Sequence, residues 1–343
     1  MKIIKSEQIG NFIFAQLHPF HQDFFHGSGR ILLRDTPHYQ ILRDGSIYQD
    51  ENKYTNYLEH SWKFYKPEDN TPKSRMENNA NYRVLLENIK KNGYDKRNPI
   101  EICETLDGAT LIIDGNHRAS CAYFLGLDIP VIKTPLEKYL QKQISFSNNT
   151  EQYAAKNNIP YQSVFCGDKC LIKGRRLDIL ERFKKIALED IRGKDVLDLG
   201  CNIAISAHLA WHYGANQVIG CEYSLNIART ALRIGTAFNS KVRLMVQDLG
   251  HPLALSTKFD TIFAFSIYFH VKNKEEFVRN ILNNLAENGC IYFEGHEGSS
   301  DKDYELLLNH FQKIDFLGYN AAGIHDKRYN RPFWKLSSIK PVN

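Results

Sequence analysis

Apolar and polar positions along this chain change their rhythm near its middle. Over 82–92, Tyr82, Val84, Leu85 and Ile89 recur at helical spacing and predict a helix, while the strongly polar stretch 66–80 ahead of it predicts a loop. Apolar runs at 99–103 and 109–113 flank Asp107-Gly108, a tight-turn dipeptide, and predict a β-hairpin. A helix over 119–125 closed by Gly126, a strand over 129–132 and a helix over 136–145 complete the first part. The segment 147–158, rich in Asn, Gln and Ser, marks a boundary, so 1–150 and 160–343 read as two domains. Beyond it an amphipathic helix is expected over 177–188. From Val196 to about Leu285 apolar strands alternate with helices, the pattern of a parallel sheet with right-handed crossovers.

The strands of the second part end alike. Residues 195–199 form an apolar run that contains Asp198 and leads into Gly200, Cys201 and Asn202, before a helix through 207–212. The run 217–222 ends in Glu222, and 242–246 is followed by Gln247 and Asp248. A fourth run, 259–265, passes through Phe265 into Ser266, Ile267, Tyr268, Phe269 and His270. Open α/β sheets bind ligands at the carboxyl ends of their strands, and a carboxylate at the second strand can accept hydrogen bonds from two ribose hydroxyls. A glycine at the first strand removes a Cβ that would strike a ligand lying against the backbone. A strand, a glycine and a helix alone would serve a flavin or nicotinamide equally; the ordered series of strand-end acids narrows the reading.

With D-L-G-C-N, C-E-Y-S and V-Q-D in this order, residues 160–338 resemble the class I S-adenosylmethionine-dependent methyltransferase family. The resemblance implies an α/β fold, a Rossmann-like doubly wound sheet, with S-adenosylmethionine as cofactor. It places Asp198, Gly200 and Asn202 beside the methionine part, Glu222 on the ribose and Asp248 facing the adenine, with Phe265 also in the cofactor site. It further implies a fifth strand in E-N-G-C-I-Y-F-E-G-H and a closing antiparallel pair at 311–317 and 331–337. The family usually has another glycine where this chain has Ala204. A weakly nucleophilic acceptor needs a base, for which His270 and His296 are the catalytic candidates, with Tyr268 and Glu294 shaping the pocket.

In the first part, L-I-I-D-G-N-H-R-A-S puts a tight turn and a helix start directly after a strand, where free backbone N–H groups suit a phosphate or carboxylate. With the L-G and I-P-V that follow, about 82–135 resemble the ParB/sulfiredoxin-like fold. That implies an α+β domain binding, or phosphorylating, a nucleotide or other phosphorylated ligand at Asp114, Asn116, His117 and Arg118. Upstream, His21, Asp23 and His26 hold metal-ligating groups without a spacing that fixes their geometry, and Cys166 and Cys170 lack two further ligands. No metal is therefore expected. Arg30, Arg34, Asp35 and His38 read as a substrate-facing edge. L-R-D-T-P-H-Y ahead of D-G-N-H-R is similar to proteins of bacterial surface-polysaccharide pathways. A sugar, sugar phosphate or related glycan intermediate is thus the first choice of acceptor. A tRNA or other nucleic acid, and a sensor that binds without turnover, are the alternatives.

Composition adds bounds. A chain of 343 residues, 43% apolar and 24% charged, supports two cores. The net charge of +5 has no long basic run behind it, only Lys173 to Arg176 and the pair Lys184 and Lys185, so charge names no partner. Seven scattered cysteines suit reduced thiols, and no stretch is apolar enough for a membrane span or has the shape of a leader, so a cytoplasmic protein is expected.

Overall fold

The computed structural model describes residues 2–14, 30–65, 67–147, 160–174, 176, 178–296, 298–299, 301–321 and 330–340. The trio His21, Asp23 and His26 lies outside the described residues, as does most of the segment 147–158. Two compact units divide the chain: Met1–Leu140 with Thr236–Asn239, and Gln141–Gly235 with Ser240–Asn343.

The first unit is built from β1 (Lys2–Ile4), α1 (Ser6–Ile9), β2 (Ile13–Phe14), α2 (Pro37–Arg43), α3 (Lys53–Tyr65), α4 (Pro72–Asn92), β3 (Ile100–Glu104), β4 (Thr110–Asp114), α5 (Asn116–Phe124) and β5 (Ile129–Thr134). Its sheet has the order β1-β5-β3-β4-β2. β3 and β4 pair antiparallel across Asp107-Gly108, with Gly108 at φ +79, so the alternation and the turn dipeptide meet as expected. The expected loop at 66–80 is instead a short 3-10 turn at Pro67–Asp69 followed by the start of α4. Pro72 occupies the first turn and the Thr71 side chain accepts from the Ser74 amide, a complete start signal; the polarity of the segment belongs to a solvated helix face. α5 also begins earlier than the apolar pattern suggests, at Asn116, because Gly115 at φ +90 turns the chain directly off β4.

His38 does not lie on an exposed edge. It is 4% exposed on α2, its ring 4.7 Å from Phe14, 4.8 Å from Tyr54 and 5.2 Å from Tyr57. Arg34 and Asp35 are exposed and Arg30 forks onto Asp107, so the expected edge is divided between surface and core.

α6 (Leu136–Ser147) runs across the division between the units. The second unit continues with the hairpin β6 (Val164–Cys166) and β7 (Lys169–Ile172), then α7 (Ile179–Lys184). α7 is shorter than expected, since a separate 3-10 turn occupies Leu188–Asp190. There follow β8 (Asp195–Leu199), α8 (Ile205–His212), β9 (Gln217–Glu222), α9 (Leu225–Phe238), β10 (Arg243–Val246), β11 (Phe259–Phe265), α10 (Lys274–Asn284), β12 (Leu285–Glu294), α11 (Glu305–Leu308), β13 (Phe311–Ala321) and β14 (Asn330–Ile339). The sheet order is β10-β9-β8-β11-β12-β14-β13. β8 to β12 are parallel and β14 runs antiparallel to both of its neighbours.

Strands covered on both faces read as continuous apolar runs, and here Val196, Leu197, Ile262, Phe263, Ile291 and Phe293 have no exposed surface. From β8 the chain winds outward through β9 and β10, then returns to the other flank of β8 as β11. That reversal opens a crevice at the carboxyl ends of the strands.

Candidate active site

β8 delivers Asp198 and Gly200 to this crevice. Gly200, Asn202 and Ala204 all have positive φ, at +72, +54 and +59, so the chain winds tightly before α8 begins. The amides of Gly200 and Cys201 both donate to the carbonyl of Cys221 at 2.9 Å, tying the loop to the end of β9. The need for glycine at 200 comes from within the protein: a Cβ there would lie 2.5 Å from the Ile267 side chain, in a backbone region that L-residues rarely adopt. Ala204 accepts such a conformation where the resembled family usually has glycine, and is fully buried.

Glu222, at the end of β9, is 9% exposed. Its Oε2 accepts from the amide of Asn202 at 2.9 Å and its Oε1 from that of Ser224 at 2.8 Å. Burial pushes its carboxyl up from the usual range, and these backbone donors pull it part of the way back. Asp248, beyond β10, is half-exposed, with Oδ1 taking the Gly250 amide at 2.8 Å. Asp198 differs from both. It is 2% exposed, its Oδ2 has no hydrogen-bond partner among the described residues, and burial pushes it up to about 7 against the pull of Arg182.

β11 and β12 pair in parallel with Phe265 opposite Glu294, so the loops that leave them start side by side. Ser266 turns with φ +54, a 3-10 turn spans Tyr268–His270, and the Lys274 ammonium donates to the carbonyls of Tyr268 and Val271. The His296 amide, just past β12, donates to the Tyr304 hydroxyl at 2.7 Å. The imidazoles meet with Nε2 atoms 3.3 Å apart. One must donate and the other accept, and the tautomers of the two rings decide which does.

Below these loops lies a buried ionic cluster. Glu294 has no exposed surface; Arg176 reaches its Oε1 at 3.0 Å, Asn320 its Oε2 at 2.8 Å, and Arg182 lies at 3.4 Å. Arg176 also forks onto Asp178, at 2.8 and 2.7 Å, and the Ser266 hydroxyl donates to Glu294. Arg331, from β14, donates to Ser266 at 2.6 Å. Burial opposes the charge of Glu294, but Arg176 and Arg182 outweigh it and hold the carboxyl well below its usual range.

One cavity of about 730 Å³ has Asp198, Gly200, Asn202, Glu222, Asp248 and Phe265 in its wall, while Glu294 lies buried behind it. His270 and His296 line it too, as do Tyr161, Arg176, Arg182 and Arg331. The structure therefore brings together every cofactor-site and catalytic candidate read from the sequence of the second unit. The arginines were missed. The run Lys173 to Arg176 reads as solvated, and only Arg182, spaced with Ile179 and Phe183 on the apolar face of a short helix, carried a local signal of burial.

In the first unit, Asp114 and Arg118 bond each other at 2.8 Å, and Arg118 also donates to the carbonyls of Asn98 and Pro99. Asn116 is buried at the start of α5. His117 points into the core, where its Nε2 lies 2.6 Å from the Tyr54 hydroxyl. Burial, with Arg118 nearby, lowers it to about 4, so it is neutral at ordinary pH. Among the described residues no group of three or more His, Cys, Asp or Glu could hold a metal, and no helix is long and apolar enough to cross a membrane.

Residues 171–328 match the family model described as a methyltransferase domain. A curated relative, phosphoethanolamine N-methyltransferase 1 of Zea mays, is 26% identical over 183 residues, which are 53% of this chain. The chain spans 34% of the length of that relative. Among solved structures, the N-terminal domain of EvdMO1, obtained in the presence of S-adenosylhomocysteine and D-fucose, has a TM-score of 0.43 at 15% identity, over 60% of this chain and 97% of that one. The 16S rRNA N2 G1207 methyltransferase RsmC of T. thermophilus has a TM-score of 0.38 at 19% identity, over 47% of this chain and 42% of that one.

Proposed function

We propose that the second unit, a class I methyltransferase domain that uses S-adenosylmethionine, methylates a small polar acceptor in the cavity at its strand ends. A sugar, sugar phosphate or related intermediate of surface-polysaccharide synthesis is the acceptor we favour. One observation carries the reading: the acids that end three successive strands and the paired histidines that follow two others open into the same cavity.

The residues present suit the cofactor. Glu222 is held by two backbone amides with its carboxylate at the cavity wall, and Asp198 keeps a buried oxygen without a partner there. Asp198, Gly200, Asn202, Glu222, Asp248 and Phe265 would hold S-adenosylmethionine, which when bound supplies an activated methyl group on a sulfonium. The remaining work is done by positioning and by exclusion of water. A hydroxyl acceptor must also lose its proton, and on this reading the His270–His296 pair takes it, a role supported by their contact at the cavity wall.

For the first unit the proposal is that it binds a phosphorylated ligand at the turn from β4 into α5. Arg118 is bonded to Asp114 and to two carbonyls, and a turn that leads straight from a strand into a helix start is a setting that suits a phosphate.

Calorimetry with S-adenosylmethionine, followed by mass spectrometry of sugar and sugar phosphate pools incubated with the protein, tests the reading. Wild-type protein should bind the donor, Glu222→Ala should abolish that binding, and His270→Ala should bind normally but turn over about 10²-fold to 10⁴-fold more slowly. Undiminished donor affinity in Glu222→Ala would break the ribose assignment. Donor binding with no methylated product from these pools would favour a sensor, and product from RNA, with binding lost steeply as salt rises, a nucleic-acid enzyme.

A further inference from the structure

We infer that the arginine-lined wall of this cavity receives an oxyanion, the phosphate or carboxylate of the methyl acceptor; this rests on the methyl transfer proposed above. The wall is built from separate parts of the second unit. Tyr161 precedes β6, Arg176 and Arg182 precede β8, and Arg331 comes from β14. Arg176 and Arg331 converge on the Tyr161 hydroxyl, at 3.4 and 3.3 Å. The Arg182 guanidinium stacks over Phe265, 4.0 Å from the ring centroid, and donates to Ser206 at 2.9 Å. Its Nε, fully buried, has no hydrogen-bond partner among the described residues.

Sheet order separates two electrostatic ends. Asp198 and Glu222 lie at the carboxyl-terminal ends of β8 and β9 and Asp248 just past β10, whereas Glu294 and Arg331 belong to β12 and β14 on the other flank of β11. The sulfonium and ammonium of the donor are drawn to the acidic flank, while the guanidinium flank suits anions, both the donor's own carboxylate, which the test below separates, and the oxyanion assigned here to the acceptor. There a buried, charged N–H without a partner is costly, and an oxyanion supplies the missing acceptor. Planar guanidinium forks match phosphate and carboxylate geometry alike.

Tyr161 reports the local potential. Burial alone would raise its phenol, yet Arg176 and Arg331 outweigh burial and the phenol falls below its usual range. The wall thus favours added negative charge even with Asp178 and Glu294 in place.

The test titrates the protein, already saturated with S-adenosylhomocysteine, with inorganic phosphate and separately with acetate, by calorimetry. Saturable binding of at least one anion is expected. Arg182→Lys, which keeps the charge but removes the fork, should weaken it about tenfold while leaving S-adenosylhomocysteine affinity unchanged. Binding of both anions would leave the acceptor's anion open between the two sources; binding of one alone identifies it. No binding of either anion, or equal binding by Arg182→Lys, overturns the inference. So does a variant that loses S-adenosylhomocysteine instead, since the guanidinium would then serve the donor. If Arg182→Lys fails to fold, Tyr161→Phe reads the same wall, and unchanged anion affinity there overturns the inference equally. Wild-type protein that binds no S-adenosylhomocysteine would instead overturn the methyl-transfer reading beneath it.

Discussion

Replacing Glu294 by Gln changes charge at almost constant volume, so its effect isolates the electrostatics of the buried cluster. The carboxylate has no exposed surface, accepts from Arg176, Asn320 and Ser266, and has Arg182 at 3.4 Å and Arg331 at 3.8 Å. An amide in its place keeps one acceptor oxygen but turns an NH2 toward groups that are themselves donors. Removing one partner from a buried ionic cluster costs about 3–5 kcal/mol, because the remaining charges stay desolvated. For a domain of this size that corresponds to a fall in Tm of roughly 6–20 °C, at about 2–4 °C per kcal/mol. Urea denaturation at neutral pH, followed by circular dichroism, measures the loss directly. The pH dependence gives a second reading. The native carboxyl is held below its usual range, so the stability it contributes is present above the unfolded value, near 4.3, and is lost as pH falls through the native one. The gap between wild type and Glu294→Gln should therefore narrow below about pH 5. A loss under about 1 kcal/mol at pH 7, or a gap that ignores acid, would refute the claim that this carboxylate compensates the arginines.

Asp198 has the opposite sign. Its native carboxyl is raised to about 7 by burial, so it favours the folded state at low pH and that contribution disappears as pH rises toward 7. Asp198→Asn should consequently gain Tm relative to wild type between pH 5 and pH 8 without donor present, and a constant difference by calorimetry would rule the burial argument out. Gly200→Ala must place a side chain at φ +72, costing about 1–2 kcal/mol, and press on Ile267 as well. Donor affinity should fall with stability, and Gly200→Ala combined with Ile267→Ala should recover the steric part; a double variant no better than the single one would count against the contact.

How much of this was legible beforehand follows from range. Strand and helix periods, the Asp107-Gly108 turn and the acids at strand ends are local properties; β8 to β11 appear where the apolar runs predict them, and β12 where the family resemblance implies it. The boundary of α4 was misread because a polar, well-capped helix resembles a loop when only hydrophobicity is followed. The reason for Gly200 was also misplaced: the close neighbour is Ile267, 67 positions along the chain, and no local pattern announces it.

The amino-acid sequence by itself determined which side chains stand at the carboxyl ends of the strands, since alternation and turn chemistry act over a few residues. Only tertiary structure decided what those side chains meet. Parallel pairing of β11 with β12, in steady register from Thr261 to Phe265, brings His270 within 3.3 Å of His296, and the antiparallel return of β14 carries Arg331 back to the same end of the sheet. Such contacts depend on register and burial, which are settled by packing the whole sheet at once.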